Sequence, residues 1–451
     1  MVSEEPEETR LMAKHYKELL RLGLPIMIGQ LGMIVLSFAD TMMVGRCGTA
    51  ELGAAGFVNN MFNLVIVFST GFSYGLTPVV GALYGKGDSH AIGRTLKNSL
   101  LVNGITAVII SLLMGLLYLN VHRLGQPDEL MPLIRPYYLI LLASLVPVLL
   151  FNAFKQFAEG ITDTLTPMYI LIGGNILNII GNWILIYGKC GFPQLGLTGA
   201  GIATLFSRIM MMTAFAYVFF FTDRYRIYRD GFMAGRFNRH DCSLLGKMGM
   251  PVGLQMGMET ASFSLSTILV GWIGTVALAA HQVMLTVGQL GFMMYYGMAA
   301  AVAVRVSNFK GQGNYHEIRN TAASGFRLIL AMAAMTSAAV LLLRNHIGFM
   351  FNDSAEVAEM VAAIAVPFVI YQIGDGMQCN YSNALRGISD VKMVTLYAFV
   401  AYFLISLPSA YLFGFVFDLG LVGIWLSFPL GLTSAGLLFR RRFLKNVSKG
   451  I

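Results

Sequence analysis

Charge is scarce in this chain. Only 12% of its 451 residues are Asp, Glu, Lys or Arg, where a globular chain carries about 25%. Hydrophobic residues make up 56% and the mean hydropathy is +0.67, so a bilayer, not water, is the solvent for most of the sequence. Cysteine is scarce as well. Cys47, Cys190, Cys242 and Cys379 lie far apart with no CxxC pair, which gives neither a disulfide framework nor a zinc site. There is no Walker P-loop, so the chain is not itself an ATPase, and no HExxH, GxSxG or His/Cys cluster marks a hydrolase. An enzyme is not expected, nor a cofactor. No apolar stretch carries the arginine ladder of a voltage sensor. Residues 1–21 have no short apolar core with a cleavage site, so no signal peptide is expected; residues 14–21 read as a short interfacial helix.

What is present is long apolar runs. A span needs about 20 mostly apolar residues. Twelve stretches qualify: 22–44, 54–83, 96–119, 133–157, 168–187 and 195–221, then 248–271, 276–304, 322–343, 360–385, 393–413 and 419–439. The net charge of +8 does not form a nucleic-acid patch, because the basic residues sit between apolar runs. With the N-terminus in the cytoplasm, the outer segments hold few cations, Arg46, Arg123, Arg135, Lys189 and Arg344, and the rest fall inside. Both termini are therefore expected in the cytoplasm, in a multi-pass plasma-membrane protein surrounded by lipid. The chain divides into an N-terminal segment (1–21), a six-helix N-lobe (22–221), a polar basic linker (222–247), a six-helix C-lobe (248–439) and a basic tail (440–451).

The two lobes repeat each other. At a constant offset of 226 residues, Pro25 falls on Pro251, Thr41 on Thr267, Gly45 on Gly271, Gly48-Thr49 on Gly274-Thr275, and Gly85-x-Gly87 on Gly311-x-Gly313. Later, Gly160-Ile161-x-Asp163 matches Gly387-Ile388-x-Asp390, and Leu195-Gly196-Leu197 matches Leu419-Gly420-Leu421. Six spans per repeat keep both repeats in one orientation, with a pseudo-twofold axis along the membrane normal. Doubled membrane folds of this kind are typical of transporters.

Of 23 acidic residues, three fall well inside spans: Asp40, Glu259 and Asp375. A carboxylate in hydrocarbon is costly unless protonated, paired or wet, so each is a functional hypothesis. Their helical neighbours are polar too. Ser37, Asp40 and Thr41 share one face; Gln255, Glu259, Ser262 and Ser266 another; Tyr371, Asp375 and Gln378 a third. Such stripes are expected to line an interior cavity, with Gln255, Ser262, Gln378 and Ser37 as cavity candidates. Asn178, Asn182 and Thr204 add oxygen atoms that, with Asp40, suit a hard cation. The acids do not follow the duplication, since Asp40 aligns with Ser266 and Glu259 with Met33. The lobes therefore share a scaffold and differ in their polar sites. Arg208 is the basic residue clearly within a span, and snorkelling or pairing inside the N-lobe are both open to it. Lys155 and Arg305 read as snorkelling cations near helix ends. His281 reads as a hydrogen-bonded core histidine. The 28 methionines supply adaptable apolar surface suited to binding many flat organic molecules.

The chain resembles the MATE family, multidrug and toxic compound extrusion transporters, and within it the NorM-like bacterial branch. The resemblance covers about residues 10 to 440. It rests on Leu24-Pro25, Asp40-Thr41-Met42-Met43-Val44-Gly45, the two Gly-x-Gly turns, Glu159-Gly160-Ile161-Thr162-Asp163-Thr164-x-Thr166-Pro167, and Gly199-Ala200-Gly201-Ile202-Ala203-Thr204. It implies an all-α fold of twelve transmembrane helices in two six-helix lobes arranged as a V. It also implies a monomeric antiporter of the bacterial inner membrane, exporting organic cationic or amphiphilic molecules as Na⁺ or H⁺ enters. The family's C-lobe cation site maps onto Glu259, Asp375 and Tyr371, with Glu259 and Asp375 as Na⁺ candidates. Its N-lobe site maps onto Asp40, Asn178, Asn182 and Thr204. Some members carry aspartate where this chain has Asn182, which removes one negative charge. The alternatives are a lipid-linked glycan flippase of the same superfamily, whose cavity would be rich in arginine, and a non-transporting membrane scaffold.

Overall fold

A computed structural model of the chain describes residues 7–351 and 353–450, and all its regular structure among these residues is helical. The order is α1 (Glu7–Gly45), α2 (Thr49–Ser73), α3 (Leu76–Lys86), α4 (Ser89–Leu119), α5 (Met131–Ala143), α6 (Leu145–Gly160), α7 (Leu165–Tyr187), α8 (Gly196–Phe221) and α9 (Arg226–Ala234). Then come α10 (Arg239–Ile273), α11 (Thr275–Gly311), α12 (Tyr315–Phe351), α13 (Ala355–Gly387), α14 (Lys392–Phe399), α15 (Leu407–Tyr411) and α16 (Gly420–Ser448).

Among the described residues, eleven helical stretches are long and apolar enough to cross a membrane, where twelve were expected. The missing one is α10, a continuous helix of 35 residues. It falls short in apolar content because one stretch carries Gln255, Glu259, Thr260, Ser262, Ser264, Ser266 and Thr267. The polarity of that helix is a first sign of its use.

Residues 14–21 are helical and run without a break into the first span as part of α1. Leu19 is fully buried there, and His15 meets Glu317 at 3.0 Å. The polar basic linker contains a short helix, α9. Tyr225 and Tyr228 are buried and Phe232 half-buried, an i, i+3, i+7 face that folds α9 onto α4. Gly93 and Gly231 allow the two backbones to touch, since a Cβ on Gly93 would run into the carbonyl oxygen of Tyr228.

By packing, the molecule divides into an N-unit, Ile28–Gly253, and a C-unit, Met1–Met27 with Leu254–Ile451. The division runs through the interior of α1 and of α10, three residues after Pro25 and Pro251 respectively. It does not fall in the linker. The duplication shows in the backbone as well. Thr162 and Ser389, at the same place in the repeated Gly-Ile-x-Asp motif, both take φ 68°. These left-handed positions are uncommon for residues other than glycine, so their recurrence at matching sites reflects one repeated chain path.

In the N-unit, Phe154, Phe157, Phe215, Phe219 and Tyr225 stack as one buried aromatic group. In the C-unit, α13 packs against α11, α12 and α16, and every residue from Gly374 to Gly387 is buried. Small residues permit this: a Cβ on Gly387 would press on the Ala303 carbonyl at 2.8 Å, and one on Gly436 on the Gln378 amide at 3.0 Å. The stretch Lys392–Val416 is irregular, with π-helical turns at Val400–Ser406 and Leu412–Val416 on either side of α15. Pro408 near the start of α15 cannot donate a backbone hydrogen bond into the preceding turn, and widened turns of this kind recur at functional sites.

Candidate functional site

In the C-unit, α10 and α13 bring Glu259 and Asp375 into one polar cluster. Gln378 Nε2 donates to Glu259 Oε1 at 3.0 Å. Asp375 is 1% exposed, Gln378 2%, and Glu259 half-buried. Tyr371, one turn before Asp375, directs its hydroxyl at that carboxylate. Its ring is held among Phe263, Phe368, Trp425 and Phe428. Tyr402, on the π-helical turn, points its hydroxyl at Glu259 without completing a well-formed hydrogen bond. Three buried oxygens around the two acids therefore have no hydrogen-bond partner: Asp375 Oδ2, Gln378 Oε1 and Tyr402 Oη. Neither acid forms an ion pair among the described residues. Buried acceptors are normally satisfied, so this cluster has the donor set of a small cation site: two carboxylates, an amide oxygen and phenolic oxygens.

Gln255 and Ser262 are buried on α10, at 8% and 5% exposure, on the face that carries Glu259. One turn away on α13, Gln372 Oε1 accepts from Tyr295 and Thr336. His281 is fully buried, 3.0 Å from Thr267 Oγ1 and flanked by Trp425 and Phe428.

In the N-unit, Asp40, Asn178, Asn182 and Thr204 form one network across α1, α7 and α8. Asn182 Nδ2 donates to Asp40 Oδ1 and also to Asn178 Oδ1, the latter at 3.0 Å. Asn178 Nδ2 donates to Thr204 Oγ1 at 3.2 Å and Ser207 Oγ at 3.3 Å. Asn182 Oδ1 is buried without a donor. Ser37 stands apart: it is exposed, one turn before Asp40, and its carbonyl takes the Thr41 hydroxyl at 2.9 Å.

Two cations read as snorkelling prove to be paired. Lys155 is 6% exposed and meets Glu159, itself 4% exposed, at 3.8 Å. Arg305 meets Glu18 at 3.4 Å and lies over the Phe309 ring at 4.8 Å. Glu159 was missed as an internal acid because it lies beside a helix end. Its i, i+4 spacing from Lys155 was the available signal. Tyr402 was missed because a π-helical turn shifts the face that a regular helix would present. No group of three or more His, Cys, Asp or Glu comes together among the described residues.

A duplicated all-helical membrane protein with polar clusters buried inside each unit has the architecture of a multi-pass transporter. The sequence profile of the MatE family matches residues 25–184 and again 251–412, so the chain belongs to the MatE family, and each repeat matches separately. Solved structures agree in fold. A multidrug resistance MATE family transporter in an outward-facing conformation superposes with a TM-score of 0.87 at 20% identity, covering 99% of both chains. A eukaryotic MATE transporter gives 0.86 at 19% identity, over 97% of this chain and 98% of the other. A superfamily transporter from Pyrococcus furiosus, described as having a binding pocket of reversed polarity, gives 0.86 at 20% identity, over 97% of this chain and 96% of that one.

Proposed function

We propose that this protein is a cation-coupled antiporter of the NorM-like branch, exporting organic cationic or amphiphilic molecules by alternating access while Na⁺ or H⁺ moves the other way. The reading places it in a bacterial inner membrane as a monomer, with both termini in the cytoplasm. The observation that carries it is the Glu259–Asp375 cluster, with two acids, three unpartnered buried oxygens and no basic partner among the described residues. Such a cluster is under-neutralised when empty. A coupling ion relieves it, and so does an organic cation approaching from the cavity. The two together are poorly accommodated. Exchange follows provided the two ligands favour different arrangements of the transporter. Asp40 and its amide network form a separate polar cluster within the N-unit, and in the C-unit the aromatic rings around Tyr371 suit a flat cationic ligand.

The test is efflux of a fluorescent organic cation from proteoliposomes under Na⁺ and pH gradients imposed separately. Efflux on either gradient, lost in Asp375→Asn and Glu259→Gln proteins that insert and melt normally, is the expected result. Undiminished efflux in those variants would sink the assignment.

A further inference from the structure

α9 and the residues that follow it have no part in the function proposed above. The segment 226–239 carries four arginines and one acid, Asp230. It is also apolar where it is open: Ile227 is 56% exposed, Met233 62% and Phe237 61%. Three large apolar side chains left uncovered this close together mark a surface that meets something other than water.

The segment sits in the N-unit where two lipid-facing rows end. Along α4, Leu101, Ile105, Ile109, Leu112 and Leu116 are exposed at helical spacing, the side that a span turns to lipid. Lys97 stands one turn before Leu101 on that row. Its Nζ lies 5.4 Å from the centre of the Phe237 ring and donates to the Gly235 carbonyl at 2.9 Å. Along α8, Phe206, Met210, Tyr217 and Phe221 form a second exposed row. Beside its last member, Phe220 packs on Phe232 of α9 at 5.4 Å, and the Phe220 carbonyl accepts from Arg229. The ends of both rows are thus fastened to the linker, which places its exposed side at the edge of the hydrocarbon.

The charges complete the pattern. Arg229 is held by Phe220, and Arg224, just before the segment, by Asp163. Arg226, Arg236 and Arg239 are exposed and form no ion pair among the described residues. A short helix with open apolar side chains and unpaired arginines, at the level where spans end, has the chemistry of an interfacial anchor. Guanidinium groups pair with phosphate through charge-assisted hydrogen bonds. We propose that residues 226–239 are a binding surface for anionic phospholipid, with Arg226, Arg236 and Arg239 on the headgroups and Ile227, Met233 and Phe237 in the boundary between headgroups and acyl chains.

The experiment reads lipid contact on the full chain in nanodiscs. An environment-sensitive fluorophore is attached at Met233→Cys, in a background whose four native cysteines are replaced by serine. Gln312→Cys, on the exposed turn after α11, is the reference site. Nitroxide-labelled phosphatidylglycerol and nitroxide-labelled phosphatidylcholine are added in turn at equal mole fraction. The anionic lipid is expected to quench the label at 233 about fivefold more than the zwitterionic one, the worth of a single arginine near an anionic surface. The label at 312 is expected to show no such preference. Arg226→Gln/Arg236→Gln/Arg239→Gln is expected to bring the two lipids to parity. Raising the salt is expected to weaken the preference, since the screening length falls from about 10 Å at 0.1 M to about 3 Å at 1 M. Equal quenching by the two lipids at 233, or a preference that survives the triple substitution, would overturn the proposal. So would a label at 233 that is quenched by iodide in solution and by neither lipid, which would turn this surface toward water or a soluble partner. Should the cysteine-free chain not fold, the unlabelled wild type decides. It is expected to retain phosphatidylglycerol through purification that the triple-arginine variant loses, and equal retention overturns the proposal.

Discussion

Glu259, Asp375 and Tyr402 make sense only together. Each is a polar group in a place where hydrocarbon penalises it, and Asp375 and Tyr402 each keep a buried oxygen that another member of the cluster or a small cation would satisfy. Tyr402→Phe removes a single hydroxyl and leaves the ring in place. If the hydroxyl serves the site, the variant is expected to raise the Na⁺ concentration for half-maximal efflux about fivefold, the worth of one hydrogen bond of about 1 kcal/mol. An unchanged Na⁺ dependence would assign Tyr402 to packing. The Lys155–Glu159 pair offers a different test. With both side chains almost fully buried, Glu159→Gln leaves a lysine charge without its carboxylate and is expected to destabilise the protein by about 3–5 kcal/mol. Lys155→Met/Glu159→Leu is expected to recover most of that loss, read as melting temperature in detergent.

Among the elements, the turn after α6 and its repeat after α13 are built alike. Thr162 and Ser389 turn left-handed, and the next residue is an aspartate that reaches across its own unit. Asp163 accepts from Nε and Nη2 of Arg224 at 2.8 and 2.9 Å and from the Tyr225 hydroxyl at 2.6 Å. Asp390 takes Arg442 at 2.6 Å and Asn446. Burial alone would push the Asp163 carboxyl up. The hydrogen bonds from Arg224, Tyr225 and Thr166 outweigh it and hold the group below the usual carboxylate range. A depressed folded value means that the contribution to stability is present above the unfolded value, near pH 4, and is lost as pH falls through the folded one. The melting temperature of the wild type is therefore expected to fall more steeply below about pH 4 than that of Asp163→Asn. Parallel curves would show that the carboxylate charge does not stabilise this turn.

At the scale of the whole molecule, the sequence repeats and the packed units are different divisions of one chain. The repeats begin near Pro25 and Pro251, yet the first turns of α10 pack with the N-unit. Within that unit, Asn98 Oδ1 accepts the Asn238 amide at 3.0 Å, Arg94 meets Asp241 at 3.2 Å, and Gly249 lies so close to Phe72 that a Cβ would strike its carbonyl. A protease site placed in the short break between α9 and α10, residues 235–238, therefore cuts inside a unit and not between units. The two fragments are expected to copurify in mild detergent after cleavage. Their separation would show that these contacts do not hold α10 in place.

The sequence by itself determined the solvent, the helical class, the duplication and the principal acids. These follow from features local to the chain: apolar run length, the fixed 226-residue offset, and the rarity of carboxylates in apolar stretches. It also held, unread, the Tyr225-Tyr228-Phe232 face of α9 and the Lys155–Glu159 spacing. Only the tertiary structure decided which unit each half of α1 and α10 joins, that Gln378 and Tyr402 complete the Glu259–Asp375 cluster, and that Asn178 and Asn182 join Thr204 to Asp40. Those outcomes depend on which helices pack side by side and on where a π-helical turn rotates a side chain inward. Helical periodicity gives the face of one helix; it does not give the neighbour that the face meets.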